Sequence, residues 1–213
     1  RIKKIFSNVV WWRTFQMIHR ELFFATPVYV KDVGTPEYNK YLEEQIVNWS
    51  KKDPGLKKTN MNGWHSPTDM HTKIEYKNLI EELHIAQQEI YKDECLDSEP
   101  FLGNMWANIN YKDGFNRPHI HPNSLWSGVY YVKTPKKCGH LKIEDTRTMS
   151  LMSRPKKINK EEPKHLWKEV HFEPIAGRLI MFPSWVNHCV DPNESDDIRI
   201  SVSFNFLQKG LMV

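Results

Sequence analysis

The chain has only three cysteines, Cys95, Cys138 and Cys189, far apart and without a Cys-x-x-Cys pair. So odd and dispersed a set argues against a disulfide framework or a zinc knuckle, and points to a reducing, cytoplasmic compartment. No stretch reaches the roughly 18 consecutive apolar residues of a membrane span. The apolar run from Ile5 to Trp12 behind Lys3 and Lys4 imitates a signal peptide, but Trp11-Trp12-Arg13 offers no small-residue cleavage site. Dense charge of one sign is missing too. Thirty Lys and Arg stand against 26 Asp and Glu, a formal charge of +4. That permits an anionic partner and does not point to nucleic acid, which needs a denser basic face. There is no internal repeat.

What the chain does contain is core material: 39% apolar residues and eight tryptophans in 213 residues. Residues 22–213 read as one domain, and residues 1–21 as an N-terminal appendage of unknown role, an amphipathic element packing on that domain. Leu22 to Val30 reads as a strand broken by Pro27. Tyr38, Leu42, Ile46 and Trp49 repeat at helical spacing over 36–51, with Thr35 before Pro36 as a cap. The stretch from Asn60 to Thr72 reads as a loop, and a second helix is expected over about 75–93. From residue 104 the pattern turns to alternation, with strands expected at 104–111, 117–121, 126–133, 140–145, 169–173, 178–183 and 197–207. Thr146 to Lys168 reads as a basic surface loop or lid. The expected fold is mainly β with supporting helices, a sandwich or barrel.

Chemistry concentrates in the strand region. In His119-Ile120-His121 the two imidazoles share one strand face and can converge on one metal, since neutral imidazole offers a lone pair near pH 7. Two exposed histidines would look the same. Further on come the apolar strand Arg178 to Pro183, then His188, then Arg199 to Phe206, where Arg199, Ser201, Ser203 and Asn205 share one face. An ordinary half-exposed strand would also look like this.

Taken in order, these pieces resemble the 2-oxoglutarate/Fe(II) oxygenases. The resemblance is to the prolyl-hydroxylase-like branch, and within it to an uncharacterised bacterial and phage group. The carrying motifs are His119-Ile-His121-Pro-Asn-Ser124, Ser127-Gly-Val-Tyr-Tyr-Val132, Phe182-Pro-Ser-Trp185, His188, Pro192-Asn193 and Arg199-Ile-Ser-Val-Ser-Phe-Asn205. The resemblance implies a double-stranded β-helix, a jelly-roll or cupin-like barrel, in a bacterial cell or phage-infected host. It implies Fe(II) as cofactor, 2-oxoglutarate as cosubstrate and O2 as oxidant, with hydroxylation of an unknown small-molecule or peptidyl substrate. His119 and His188 match metal ligands. Arg199 matches the partner of the 2-oxoglutarate C5 carboxylate, a role suited to its fork of donors. Ser201 and Tyr131 match its supports, and Asn108 and Asn110 are weaker cosubstrate or substrate contacts.

One position departs from the family pattern. Where the family has a carboxylate ligand, this chain has His121. Three outcomes are open: a three-histidine site, a triad completed by Asp145 or Asp191, or a degenerate site. Two rival functions share the barrel: a three-His cupin-type dioxygenase that needs no 2-oxoglutarate, and a metal-binding barrel without catalysis. His65 and His71, beside Trp64, are expected to border the substrate cleft, and His19, His84, His140, His165 and His171 read as structural or exposed. The sequence carries no signal for oligomeric state.

Overall fold

A computed structural model describes residues 24–147, 152 and 163–210. The expected appendage 1–21 and most of the basic segment from Thr146 lie outside the described residues. Among the described residues nine strands form one antiparallel sheet that curls on itself. They are β1 (Tyr29–Asp32), β2 (Asn60–His65), β3 (Phe101–His119), β4 (Trp126–Lys133), β5 (Leu141–Glu144), β6 (Glu169–Phe172), β7 (Arg178–Pro183), β8 (His188–Val190) and β9 (Arg199–Leu207). Their order is β1-β7-β4-β9-β3-β8-β5-β6, with β2 paired to β3. Two helices, α1 (Pro36–Ser50) and α2 (Lys77–Asp93), support it.

Both helices are anchored where side chains satisfy their first amides. Thr35 accepts a hydrogen bond from Tyr38 N at 3.3 Å ahead of Pro36, a cap worth about 1 kcal/mol. The Tyr38 hydroxyl then accepts from Leu79 N at 2.9 Å, tying α1 to the first turn of α2. Leu42 and Ile46 from α1 and Leu79, Leu83 and Ile90 from α2 are buried on the outer face of the sheet. Each such side chain contributes about 1.5–3 kcal/mol.

Alternation along the strands divides the core in two. In β4, Trp126, Tyr130 and Val132 face the helices, while Val129 and Tyr131 face the hollow of the curled sheet. In β7, Leu179 and Met181 face the helices, and Ile180 and Phe182 face inward. Gly128 is needed where this layer is tightest, because a Cβ there would stand 2.3 Å from the Phe204 ring and 2.8 Å from Ile180 O.

Several boundaries differ from the expected ones. The Asn60–Thr72 segment is not all loop: Asn60–His65 is β2, paired with β3, and Asn62 takes φ +47° at its register shift. Its Asn and Gly content hid a strand that owes its ladder to β3 rather than to propensity. The first strand begins only at Tyr29, beyond Pro27, which cannot donate to a ladder. The two strands expected on either side of Asp113-Gly114 are one 19-residue strand. Asp113 takes φ +62° and the chain bends without turning back. That bend lets β3 pair with β9 over Phe101–Asn110 and with β8 at Asn116 and His119, so it passes from one layer to the other.

Candidate active site

The bend delivers His119 opposite His188, its register partner on β8. Their ring centroids are 4.3 Å apart. His121 lies just past the strand, held by its amide to Ser184 O at 3.0 Å. Its ring lies 4.9 Å from that of His119 and 5.1 Å from that of His188. One ring nitrogen from each of the three lies within 4.8 Å of the others, and among the described residues no carboxylate joins them. Asp145 instead binds Arg147 at 2.9 Å, and Asp191 faces His171 at 3.5 Å.

The histidines are prepared as neutral donors. His119 Nδ1 stands 2.6 Å from Arg117 O, and His188 Nδ1 2.9 Å from Val186 O. A carbonyl can only accept, so Nδ1 carries the proton and Nε2 keeps the lone pair, the arrangement that orients metal-binding imidazoles. Burial lowers all three pKa values, to about 4 for His121 and about 3 for His188. Phe182 adds an edge-on contact to His188 at 4.7 Å. Three imidazoles so placed suit a transition ion such as iron(II).

The histidines line a cavity of about 430 Å³ that also takes in Asn108, Tyr131, Arg199 and Ser201. Arg199 is 1% exposed. Its Nη1 donates to Asn110 Oδ1 at 3.1 Å and to Ser201 Oγ at 3.2 Å, while Nε and Nη2 have no partner within the protein. The fully buried Tyr131 hydroxyl has none either. The guanidinium carbon lies 5.2 Å from the Tyr131 ring centroid. Burial raises the Tyr131 pKa and the neighbouring guanidinium opposes that rise. A buried guanidinium with two unused donors and no carboxylate is costly alone. It fits the carboxylate of a bound diacid, such as 2-oxoglutarate.

The face of Arg199, Ser201, Ser203 and Asn205 therefore looks into the cavity rather than into solvent. Asn110 is not part of the cavity wall. It accepts from Arg199 and donates to Asn116 Oδ1 at 3.2 Å, so it positions the guanidinium from behind. Asn108 does line the wall, next to Ser201 in register, and donates to Ser203 Oγ at 3.1 Å. Of the loop histidines, His65 reaches the wall and His71 does not, while Trp64 is buried with its indole donating to Asp53 O.

Three contributors were not singled out from sequence. Trp106 stacks on His65 at 5.4 Å and 10°, and lies 5.7 Å from His121. Its one sequence signal is a tryptophan among asparagines on the polar face of a strand. Lys58 reaches the rim and carried no signal. Buried Cys138, in the turn after β4, lies within electrostatic reach of Arg199 and Tyr131. Among the described residues the cavity wall holds no aspartate and no glutamate.

Residues 104–205 match the model of the family described as "Putative 2OG-Fe(II) oxygenase". A Pseudomonas putida prolyl-4-hydroxylase superposes with a TM-score of 0.64 at 15% identity, over 86% of this chain and 93% of that one. HygX from Streptomyces hygroscopicus, solved with nickel and 2-oxoglutarate bound, gives 0.61 at 9% identity, over 87% and 84%. A Trichoplax adhaerens prolyl hydroxylase in complex with a hypoxia inducible factor peptide fragment gives 0.58 at 12% identity, over 84% and 83%. Among curated proteins, none matches the chain significantly by sequence. At these identities the superpositions establish the fold, a double-stranded β-helix.

Proposed function

We propose that the chain, which matches the 2OG-Fe(II) oxygenase family model over residues 104–205, is a hydroxylase whose iron would be held by His119, His121 and His188. The observation that carries the reading is Arg199, buried in the same cavity as the three imidazoles with Nε and Nη2 unpaired. A barrel that only bound metal, or a dioxygenase that used no diacid, would have no need of that guanidinium.

In this reading each residue has a defined task. The three imidazoles would hold iron(II) through ring nitrogens, and the carbonyls of Arg117 and Val186 keep the rings of His119 and His188 in place, with Nε2 free. Arg199 and Tyr131 bind the C5 carboxylate of 2-oxoglutarate, and Ser201 and Asn110 hold the guanidinium for it. Phe182, Val129 and Leu141 line the same wall with apolar groups and keep water away. When bound, iron(II) with 2-oxoglutarate supplies the oxygen chemistry: the oxo acid yields succinate and carbon dioxide, and one oxygen atom of O2 enters a substrate C–H bond. The substrate, a small molecule or peptidyl group, enters past Trp106 and His65. A wall whose described residues include no carboxylate, with Lys58 at its rim, suits a neutral or anionic group. Residues 22–213 act as one such domain, in the cytoplasm of a bacterium or phage-infected host.

The test is anaerobic addition of Fe(II) and 2-oxoglutarate. A weak visible metal-to-ligand absorption band is expected, succeeded on admission of O2 by oxygen uptake with release of succinate. Oxygen uptake without 2-oxoglutarate would select the cupin-type alternative, and no uptake would select the inactive barrel.

A further inference from the structure

The outer face of the short sheet β6-β5-β8 carries a second set of donors, turned away from the cavity. Leu141 pairs with Val190, which puts His140 directly opposite Asp191, and the Asp191 amide donates to His140 O at 2.9 Å. Lys142 pairs with His171, so His171 lies on the same face. Gly139, at φ +84°, permits this approach, because a Cβ there would stand 2.1 Å from Asp191 O. One donor atom each from His140, His171 and Asp191 lies within 4.8 Å of the others.

The hydrogen bonding of His171 makes the cluster more than a coincidence of polar groups. Its Nε2 stands 3.0 Å from Glu169 Oε1, and its Nδ1 stands 3.5 Å from Asp191 Oδ2. Once Glu169 takes the Nε2 proton in a hydrogen bond, a neutral ring turns its Nδ1 lone pair toward the Asp191 carboxylate. Two acceptors then face each other, an arrangement that repels unless a positive charge lies between them. A separation of 3.5 Å is close to that between neighbouring ligands on a tetrahedral ion with bonds of about 2.0–2.2 Å. Glu169 behind His171 completes the carboxylate–histidine–metal relay that orients such ligands. The surrounding charge agrees: Asp191, Glu169 and Glu144 stand against Lys142, which lies 3.4 Å from each glutamate.

We propose that His140, His171 and Asp191 form a second metal site, for a divalent ion of the zinc type, with Glu169 orienting His171. Its ion would clamp β5, β6 and the end of β8, the strand that presents His188 to the cavity. The site does not depend on the oxygenase reading, because it shares no ligand with the inner cluster.

The experiment is equilibrium dialysis against Zn2+ alone, with metal counted per chain. To separate the two clusters, the inner one is first removed by His119→Ala/His188→Ala. That chain is expected to retain one zinc, and adding His171→Ala or Asp191→Asn should weaken binding at least about tenfold. Glu169→Gln should weaken it by about 10–100-fold through loss of orientation. His171 and Glu169 are solvent-exposed and Asp191 is half-buried, so these outer substitutions disturb little packing, and circular dichroism of each variant checks that it folds. The proposal is overturned if zinc binding is unchanged by His171→Ala. It is equally overturned if nitrogen NMR of the inner-cluster variant shows His171 as an imidazolium at neutral pH whose signals Zn2+ does not move, since a proton would then fill the gap.

Discussion

Tyr130 and Tyr131 are neighbours in β4 with opposite fates: the hydroxyl of Tyr130 donates to Asn39 of α1 at 2.5 Å, and that of Tyr131 is buried beside Arg199 without a partner. Replacing each by phenylalanine should separate stability from ligand binding. Tyr130→Phe strands the Asn39 carbonyl and should cost about 1–2 kcal/mol in urea unfolding, with 2-oxoglutarate affinity unchanged. Tyr131→Phe should leave stability of the ligand-free protein within about 0.5 kcal/mol and weaken 2-oxoglutarate in calorimetric titration. The opposite pattern would remove Tyr131 from the binding site.

Arg199→Met should behave as a ligand-binding variant that folds well. Relief of a buried charge without a carboxylate partner offsets the cost of stranding Asn110 Oδ1, so the ligand-free protein should stay within about 1 kcal/mol of its parent. Saturating 2-oxoglutarate at about 100 times Kd should stabilise the parent by about 2.7 kcal/mol. The variant should show no such gain, with metal content unchanged. Retained thermal stabilisation by 2-oxoglutarate would refute the assignment.

Loss of one imidazole should release the inner metal. Changes to groups behind a ligand reduce metal affinity by about 10–100-fold, so His188→Ala should lower iron affinity by more than that, read by elemental analysis after dialysis. His121→Asp should keep the metal, because it restores a carboxylate ligand, and should weaken binding of the dianionic 2-oxoglutarate by removing one positive charge from the loaded site. Tighter binding in that variant would contradict the electrostatic account.

The metal-free protein should lose stability on acidification in a defined window. Burial holds His121 at about 4 and His188 at about 3, with His119 also lowered, against about 6.5 in the unfolded chain. Between those values the unfolded state binds more protons, so stability rises with pH, by at most about 1.4 kcal/mol per pH unit for each histidine. The full stability is present above about pH 6.5 and drains away as pH falls toward the folded values. Urea unfolding in chelator at several pH values checks this, and His188→Asn should flatten the slope.

Much of this was legible in the residues. Helical spacing located α1 and α2 within a residue or two, and Thr35-Pro36 announced the first of them, because caps and 3.6-residue periodicity act locally. Alternation separated the two faces of β9, and the motif order singled out His119, His121, His188 and Arg199. What alternation cannot say is which face a curled sheet turns inward. Only the closed barrel decided that Arg199, Ser201, Ser203 and Asn205 look into a cavity, that β3 bends through Asp113 without breaking, and that Asn110 stands behind Arg199. It also sent Asp191 to the outer face with His171, leaving three imidazoles together. These outcomes depend on contacts between strands distant in the chain, where a one-residue change of register exchanges the faces, and no local pattern encodes them.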